Sequence, residues 1–422
     1  MEPARAAGRD MVQKLLQTVN VAALVCLVGW VGYDALGTNV FGSRPWPDTM
    51  VDYHILHEQS SYLVTHKTYM PGGAEYAYPP SAAILHYAVA GFPIAVAAAM
   101  WLTLTIVSAL AIWWLLARML ELEQSPIGGV LVLLAYGSSC YFFQWDLRSQ
   151  NCNLIFLASL VCGLFCLHRQ LPAAAGFWIA LSFSLKLFSL LVIPYLLWSG
   201  RRRAFAWTAG FLVAFWLLLP ATVLGVEGCR GAYAEWFGRM QHMVDYPAAL
   251  THPILISVRR SAAWLADGDP RIAWLVVNCV RGVWAAVCVA AAAASLARRE
   301  QPGDATGLLS DVSVLALAPV AISPYLEPYH AVAFAIPSIL LVRAMADSGL
   351  RIALRCFALL TFVAAAVVLW IPLDWELRGL LVNAQLLCGV VGAGVVSWFG
   401  WSRRAAGDVM RVGEPRPERS AA

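Results

Sequence analysis

Apolar runs long enough to cross a bilayer recur along this chain, at about 15–36, 94–117, 127–143, 153–167, 205–226, 272–297, 308–322, 331–345, 352–371 and 377–399. A run of about 20 apolar residues can bury its backbone polar groups in ~30 Å of hydrocarbon only as a helix. The expected fold class is therefore all-α and polytopic, with about ten full spans. Composition points the same way. Of the 422 residues 60% are hydrophobic and 13% charged, against about 45–50% and about 25% in water-soluble domains, and the mean hydropathy is +0.67.

The 29 Lys and Arg against 25 Asp and Glu leave a net charge of only +4. No basic stripe interleaved with aromatics accompanies it, so nucleic acid is not an expected partner. Nine of the ten cysteines lie in or beside apolar runs, and Cys229 is the loop exception. Neither a disulfide framework nor a metal site of CxxC type is implied.

Arginine and lysine placement sets the expected topology. Arg5, Arg9 and Lys14 precede the first run, which no small-residue cleavage site follows, so it reads as a retained anchor with a cytoplasmic N-terminus. Segment 37–80 then falls outside as a large first loop, and Arg118, His168 with Arg169, and Arg201 to Arg203 fall inside. The stretch 172–199 has basic residues at both ends. About 28 residues are too few for two full spans, so a pair of short helices or a re-entrant hairpin broken near Lys186 is expected. Fifteen residues of helix separate Leu171 from Lys186, a rise of roughly 22 Å. An ammonium at that depth needs an anion, a water-filled cavity or a snorkelling route to the interface. Residues 1–402 form the expected membrane domain, and the Pro- and Arg-rich segment 403–422 reads as a disordered cytoplasmic tail.

Polar residues collect on the expected outer face. The first loop carries Asp48, Asp52, His54, His57, Glu58, His66, Lys67 and Glu75 and ends in Tyr76-Ala77-Tyr78-Pro79-Pro80. Other outward turns hold Asp146, Arg148, Gln150, Asn151 and Asn153, then Asp245, His252, Arg259 and Arg260, and last the segment from Ser323-Pro324 to His330. A transporter would instead concentrate such groups near the bilayer midplane on broken helices in matching halves.

Asp52-Tyr53-His54, Tyr78-Pro79-Pro80, Gln150 with Asn153, Lys186, Ser257 to Arg260, and Ser323-Pro324 with His330 follow one another in an order that resembles glycosyltransferase family 87. The resemblance spans about 15–399, with Ser149 where the family usually has Gly and Glu327-Pro328-Tyr329 in place of its Ser-Trp turn. It implies a GT-C-type helical bundle and a polyprenyl-phosphate-mannose-dependent α-mannosyltransferase. It also implies an active site on the outer, periplasmic face of a multi-pass inner-membrane protein.

Moving a sugar from a lipid monophosphate to an alcohol needs a base for the acceptor hydroxyl and positive charge for the departing phosphate. Lys, Arg and His can supply that charge, and the sequence has no HExxH, DxD or carboxylate cluster of metal spacing. Neither metal nor cofactor is expected. By the resemblance Asp52 matches the first-loop carboxylate and is the candidate base, with Asp48 the nearest rival and a plain solvated aspartate the bland alternative. His54 is assigned to the acceptor pocket, Lys186 and His330 to the phosphate, and Arg148, Gln150 and Asn153 to sugar or phosphate. Helix capping accounts for Asn151 and Asn153 equally well. Arg259 and Arg260 are read as donor contacts or interfacial anchors. The expected activity is inverting transfer of a hexose, mannose first, from a polyprenyl-phosphate donor to a glycolipid or glycan acceptor among membrane lipids. A lipid-linked-sugar flippase or small-solute transporter is the alternative.

Overall fold

The computed structural model describes residues 2–40, 50–71, 78–245, 305–322 and 332–346, together with single helical positions at 279, 282, 286, 356 and 359. Among the described residues every regular element is a helix. In chain order these are α1 (Glu2–Asn39), α2 (Val51–His66), α3 (Pro80–Ala90), α4 (Ile94–Met119), α5 (Gly128–Ser149), α6 (Asn153–His168) and α7 (Pro172–Leu185). Then come α8 (Val192–Trp198), α9 (Arg202–Val213), α10 (Leu219–Leu224), α11 (Val226–Asp245), α12 (Ala305–Ile322) and α13 (Ala335–Ala346).

Among the described residues three stretches are long and apolar enough to cross a membrane: Met11–Gly37 of α1, the whole of α4, and the rod Arg202–Leu224 in which α9 runs through a π turn into α10. Shorter apolar helices stand among them, α6 and α7 included. Helix ends follow local chemistry. Pro80 and Pro172 occupy first-turn positions where their missing N–H groups cost nothing. Lys67 and Gln150 close α2 and α5 in the left-handed region, at φ 61° and 56°.

α1 lies along α5. At one end of this seam the Asn20 side chain donates to the Pro126 carbonyl at 2.8 Å and accepts the Gly129 N–H at 2.9 Å, joining α1 to the start of α5. At the other end Asp34 is buried and accepts from the Tyr136 hydroxyl at 3.3 Å and the Gln144 amide at 3.2 Å. Trp30, Trp113 and Phe143 meet the Tyr136 ring around this carboxylate. A buried carboxylate is tolerable when both oxygens are bonded.

α6, α7 and α9 form the adjoining layer, and small residues set their spacing. A Cβ on Gly163 would come within 2.7 Å of Ile179, and one on Gly176 within 2.6 Å of the Trp207 Cβ and 2.7 Å of the Thr208 nitrogen. Close backbone approach of this kind replaces the hydrophobic driving force that lipid removes.

Three expectations need correction. The span expected at 127–143, with an outward turn after it, is a helix that continues to Ser149. Its polar residues Gln144 and Asp146 face Asp34 and Asn153 rather than solvent, so nothing ends it there. The expected loop 37–80 contains the 16-residue helix α2, and the polar segment after position 226 forms the 20-residue helix α11. Apart from the single helical positions 279, 282, 286, 356 and 359, the spans read at 272–297, 352–371 and 377–399, and the tail 403–422, lie outside the described residues.

Candidate functional site

The corner between α5 and α6 is built by Asp146. Its Oδ1 accepts from the Asn153 amide at 2.6 Å, and its Oδ2 accepts the Leu154 N–H at 3.0 Å. One carboxylate thereby caps the start of α6 and holds Asn153, a residue sequence reasoning weighed as a cap in its own right. Gln150 turns the chain between the two helices in the left-handed region, and the Trp101 indole N–H donates to its carbonyl at 3.0 Å. The Gln150 side-chain amide bends back onto the Leu147 carbonyl, and the residue is buried.

Lys186 reaches this corner from α7. That helix stops at Leu185, and Lys186 is extended at φ −156° and ψ 134° before a 3-10 turn at Leu187–Ser189. The Lys186 N–H still reaches the Ser182 carbonyl at 3.0 Å, and the Ser182 hydroxyl donates to Ser189 Oγ at 3.4 Å across the break. The side chain runs between the rings of Tyr78 and Phe188, with its ammonium 5.5 and 5.4 Å from their centroids. Lys186 Nζ donates to Asn153 Oδ1 at 2.5 Å and to Asn151 Oδ1 at 3.5 Å.

Asp52 arrives from the opposite side, in the first turn of α2. α2 packs on α3, the Tyr53 ring lies 5.4 Å from that of Trp101, and the Tyr69 hydroxyl donates to the Tyr78 carbonyl at 2.9 Å. This packing brings the Asp52 carboxylate onto Asn151, whose Nδ2 donates to Asp52 Oδ2 at 3.0 Å. Asn151 Oδ1 in turn accepts from the Tyr78 hydroxyl at 2.7 Å and from the Cys152 N–H at 2.7 Å. The chain Asp52–Asn151–Lys186–Asn153–Asp146 is thus continuous, and it draws together α2, the α5–α6 corner and the end of α7.

Among the residues expected in the site, Asp52, Asn153 and Lys186 meet in this chain, and Gln150 forms the turn beneath it. His54 is half-buried on α2 two residues past Asp52, a step of about 200° around a helix that sends it to another side. Arg148 is exposed at the end of α5 and acts electrostatically on Asp34. Arg259, Arg260 and His330 lie outside the described residues. Sequence reasoning missed His86. It is 2% exposed on α3, its ring stands edge-on to Tyr78 and Trp101 at 5.4 Å each, and neither ring nitrogen meets a hydrogen-bond partner among the described residues. A single imidazole inside an otherwise apolar helix was the available signal.

α11 grips the segment after α2. Glu235 accepts from the Thr68 hydroxyl at 2.8 Å and the Tyr69 N–H at 3.2 Å. Arg239 pairs with Glu235 at 2.8 Å, donates to the Met70 carbonyl at 2.9 Å and lies over the Tyr69 ring. Partial burial works against the Glu235 carboxylate, but the bonds from Thr68, Arg239 and the Tyr69 N–H outweigh it and hold the group below the usual glutamate range. Burial alone pushes the Tyr53 hydroxyl up.

A carboxylate and an ammonium on either side of one amide can take a proton at one end and hold an anion at the other. Among the described residues no three His, Cys, Asp or Glu side chains are grouped to hold a metal ion. Helices of membrane-spanning length with such a polar centre at the α5–α6 corner define an all-α membrane protein. The family model of glycosyltransferase family 87 matches residues 76–324, more than half of the chain, and the chain belongs to that family: it is a membrane glycosyltransferase. The matched interval includes Tyr78, Gln150, Asn153 and Lys186; Asp52 precedes it and His330 follows it. No curated protein and no solved structure matches the chain.

Proposed function

We propose that this glycosyltransferase moves a hexose, mannose first, from a polyprenyl-phosphate donor to a hydroxyl of a glycolipid or glycan, with inversion at the anomeric carbon. The observation that carries the reading is the Asp52–Asn151–Lys186 chain, with contacts of 3.0 and 3.5 Å. Asp52 takes the proton of the acceptor hydroxyl as its oxygen bonds to the anomeric carbon. The bond from that carbon to the phosphate oxygen breaks, and the polyprenyl monophosphate departs with its charge met by the Lys186 ammonium. One base and one phosphate cation suit a single displacement, so a β-linked donor gives an α-linked product. The family resemblance adds His330 as a second phosphate or sugar contact, Arg259 and Arg260 as donor contacts, and His54 and Gln150 as pocket residues. The same resemblance supports a site at the outer face of the inner membrane.

The testing experiment incubates the purified protein in lipid with radiolabelled polyprenyl-phosphate mannose, glucose and arabinose and a total lipid extract as acceptor pool. Label transferred from the mannose donor into a product stable to mild acid, which cleaves the glycosyl phosphate of the donor, is the expected result. No transfer from any of the three, combined with movement of a labelled donor across the vesicle bilayer, would replace the transferase by a flippase.

A further inference from the structure

We infer that Asn151 is a positioning residue for the glycosyl transfer, orienting the Asp52 carboxylate on one side and steadying the Lys186 ammonium on the other. The inference rests on the proposed transferase reading and assigns a role to a residue adjacent to the Gln150 turn.

The orientation of the Asn151 amide is determined by its surroundings. Its Oδ1 faces three donors, the Tyr78 hydroxyl at 2.7 Å, the Cys152 N–H at 2.7 Å and the Lys186 ammonium at 3.5 Å. Its Nδ2 faces the Asp52 carboxylate at 3.0 Å, an acceptor. A flipped amide would set its NH2 against three donors and its oxygen against a carboxylate, so only one orientation is satisfied. The residue is 7% exposed, and a misplaced amide could not turn to water for relief.

Two consequences follow for the chemistry. An N–H bonded to a carboxylate favours its ionised, proton-accepting form and aims its remaining lone pairs. The same amide joins the base to the phosphate-binding cation, so that a shift in one is felt by the other. Among the described residues, the titratable groups on the elements that meet at this chain include His54 and His57 on other sides of α2, Tyr53 on α2, Tyr78, His86 on α3, Asp146 on α5, Cys152 and Lys186 after α7. Among these, Asp146 senses the Asp52 charge and His86 that of Lys186.

Asn151→Asp and Asn151→Leu separate this role from simple capping of α6. Asn151→Asp keeps the size and the Oδ1 acceptor but replaces the donor to Asp52 by a second carboxylate oxygen. Turnover should fall about tenfold to a hundredfold, the acid limb of the turnover profile should move up by about one pH unit or more, and the donor KM should stay within about threefold of the parent. Asn151→Leu should raise the donor KM as well, because Lys186 loses its contact too. A cap alone would lower thermal stability in both variants while leaving turnover per folded molecule and the acid limb in place, which would overturn the inference. Infrared titration provides a readout that needs no turnover, since the Asp52 band is isolated by subtracting Asp52→Asn. An upward shift of its midpoint in Asn151→Leu is expected, and an unshifted midpoint sinks the inference. A parent protein silent on all three donors would instead count against the transferase reading.

Discussion

Lys186 donates to Asn153 Oδ1 at 2.5 Å across 33 residues of sequence, and the contact exists because α7 stops one residue earlier. A lysine continuing the helix would lean back over its own preceding turn. The extended backbone at Lys186 sends the side chain across to the α5–α6 corner instead, where the Tyr78 and Phe188 rings line its path. An ammonium that rests on amide oxygens and aromatic faces can exchange those contacts for a phosphate.

Replacing Lys186 with Ala should therefore raise the donor KM by about tenfold to a hundredfold, the equivalent of about 1.5–3 kcal/mol for one charge-assisted contact. Lys186→Arg should restore only part of this, because a planar fork does not fit a site made for a point charge. Donor titrations of turnover with purified protein check both. Unchanged donor KM in Lys186→Ala would reduce the lysine to a snorkelling residue.

At Gly176 the backbones of α7 and α9 come close together. Gly176→Ala sets a methyl group 2.6 Å from the Trp207 Cβ and 2.7–2.8 Å from the Thr208 and Trp207 backbone. Backbone cannot yield as a flexible side chain does, so a loss of about 1–3 kcal/mol is expected, seen as a lower melting midpoint in detergent. Gly210→Ala, with open space at its Cβ, is the internal control and should leave the midpoint unchanged or raise it.

The clasp between α11 and the segment after α2 should depend on acid pH. The Glu235 carboxylate is held below its usual range by Thr68, Arg239 and the Tyr69 N–H. Its stabilisation is therefore present above the value of an unfolded glutamate and is lost as pH falls through the lower, folded value. The difference in melting midpoint between the parent and Glu235→Gln should be present at neutral pH and vanish at strongly acid pH. A difference that stays constant with pH would assign the clasp to packing alone.

The parts of the site legible in the sequence are those with local causes. Basic residues at both ends of 172–199 marked a segment too short for two spans, and the structure breaks the helix at Lys186. Polar residues at the end of an apolar run drew attention to Gln150 and Asn153. The joining of Asp52 to Asn151 spans 99 residues and depends on α2 packing against α3 and Trp101. No periodicity announces it, because α2 mixes buried Tyr53, Leu56 and Leu63 with buried Gln59 and Ser60 and presents no clean apolar stripe. α11 is hidden for a similar reason: the partners of Glu235 and Arg239 include Thr68, Tyr69 and Met70, 166 to 169 residues away in sequence. Asp146 took the capping role that Asn153 was weighed for, through a carboxylate seven residues upstream.

The central claim is that Asp52 accepts the proton of the acceptor hydroxyl, and single-turnover kinetics of Asp52→Asn tests it most directly. The asparagine keeps the size of the side chain, and its amide oxygen can still accept from Asn151, but it cannot take the proton. Turnover should fall by about 10²–10⁴ while binding of a labelled polyprenyl-phosphate donor survives within a few fold. Asp48→Asn, measured alongside, should be mild. Turnover retained in Asp52→Asn and lost in Asp48→Asn would contradict the assignment and move the base to Asp48.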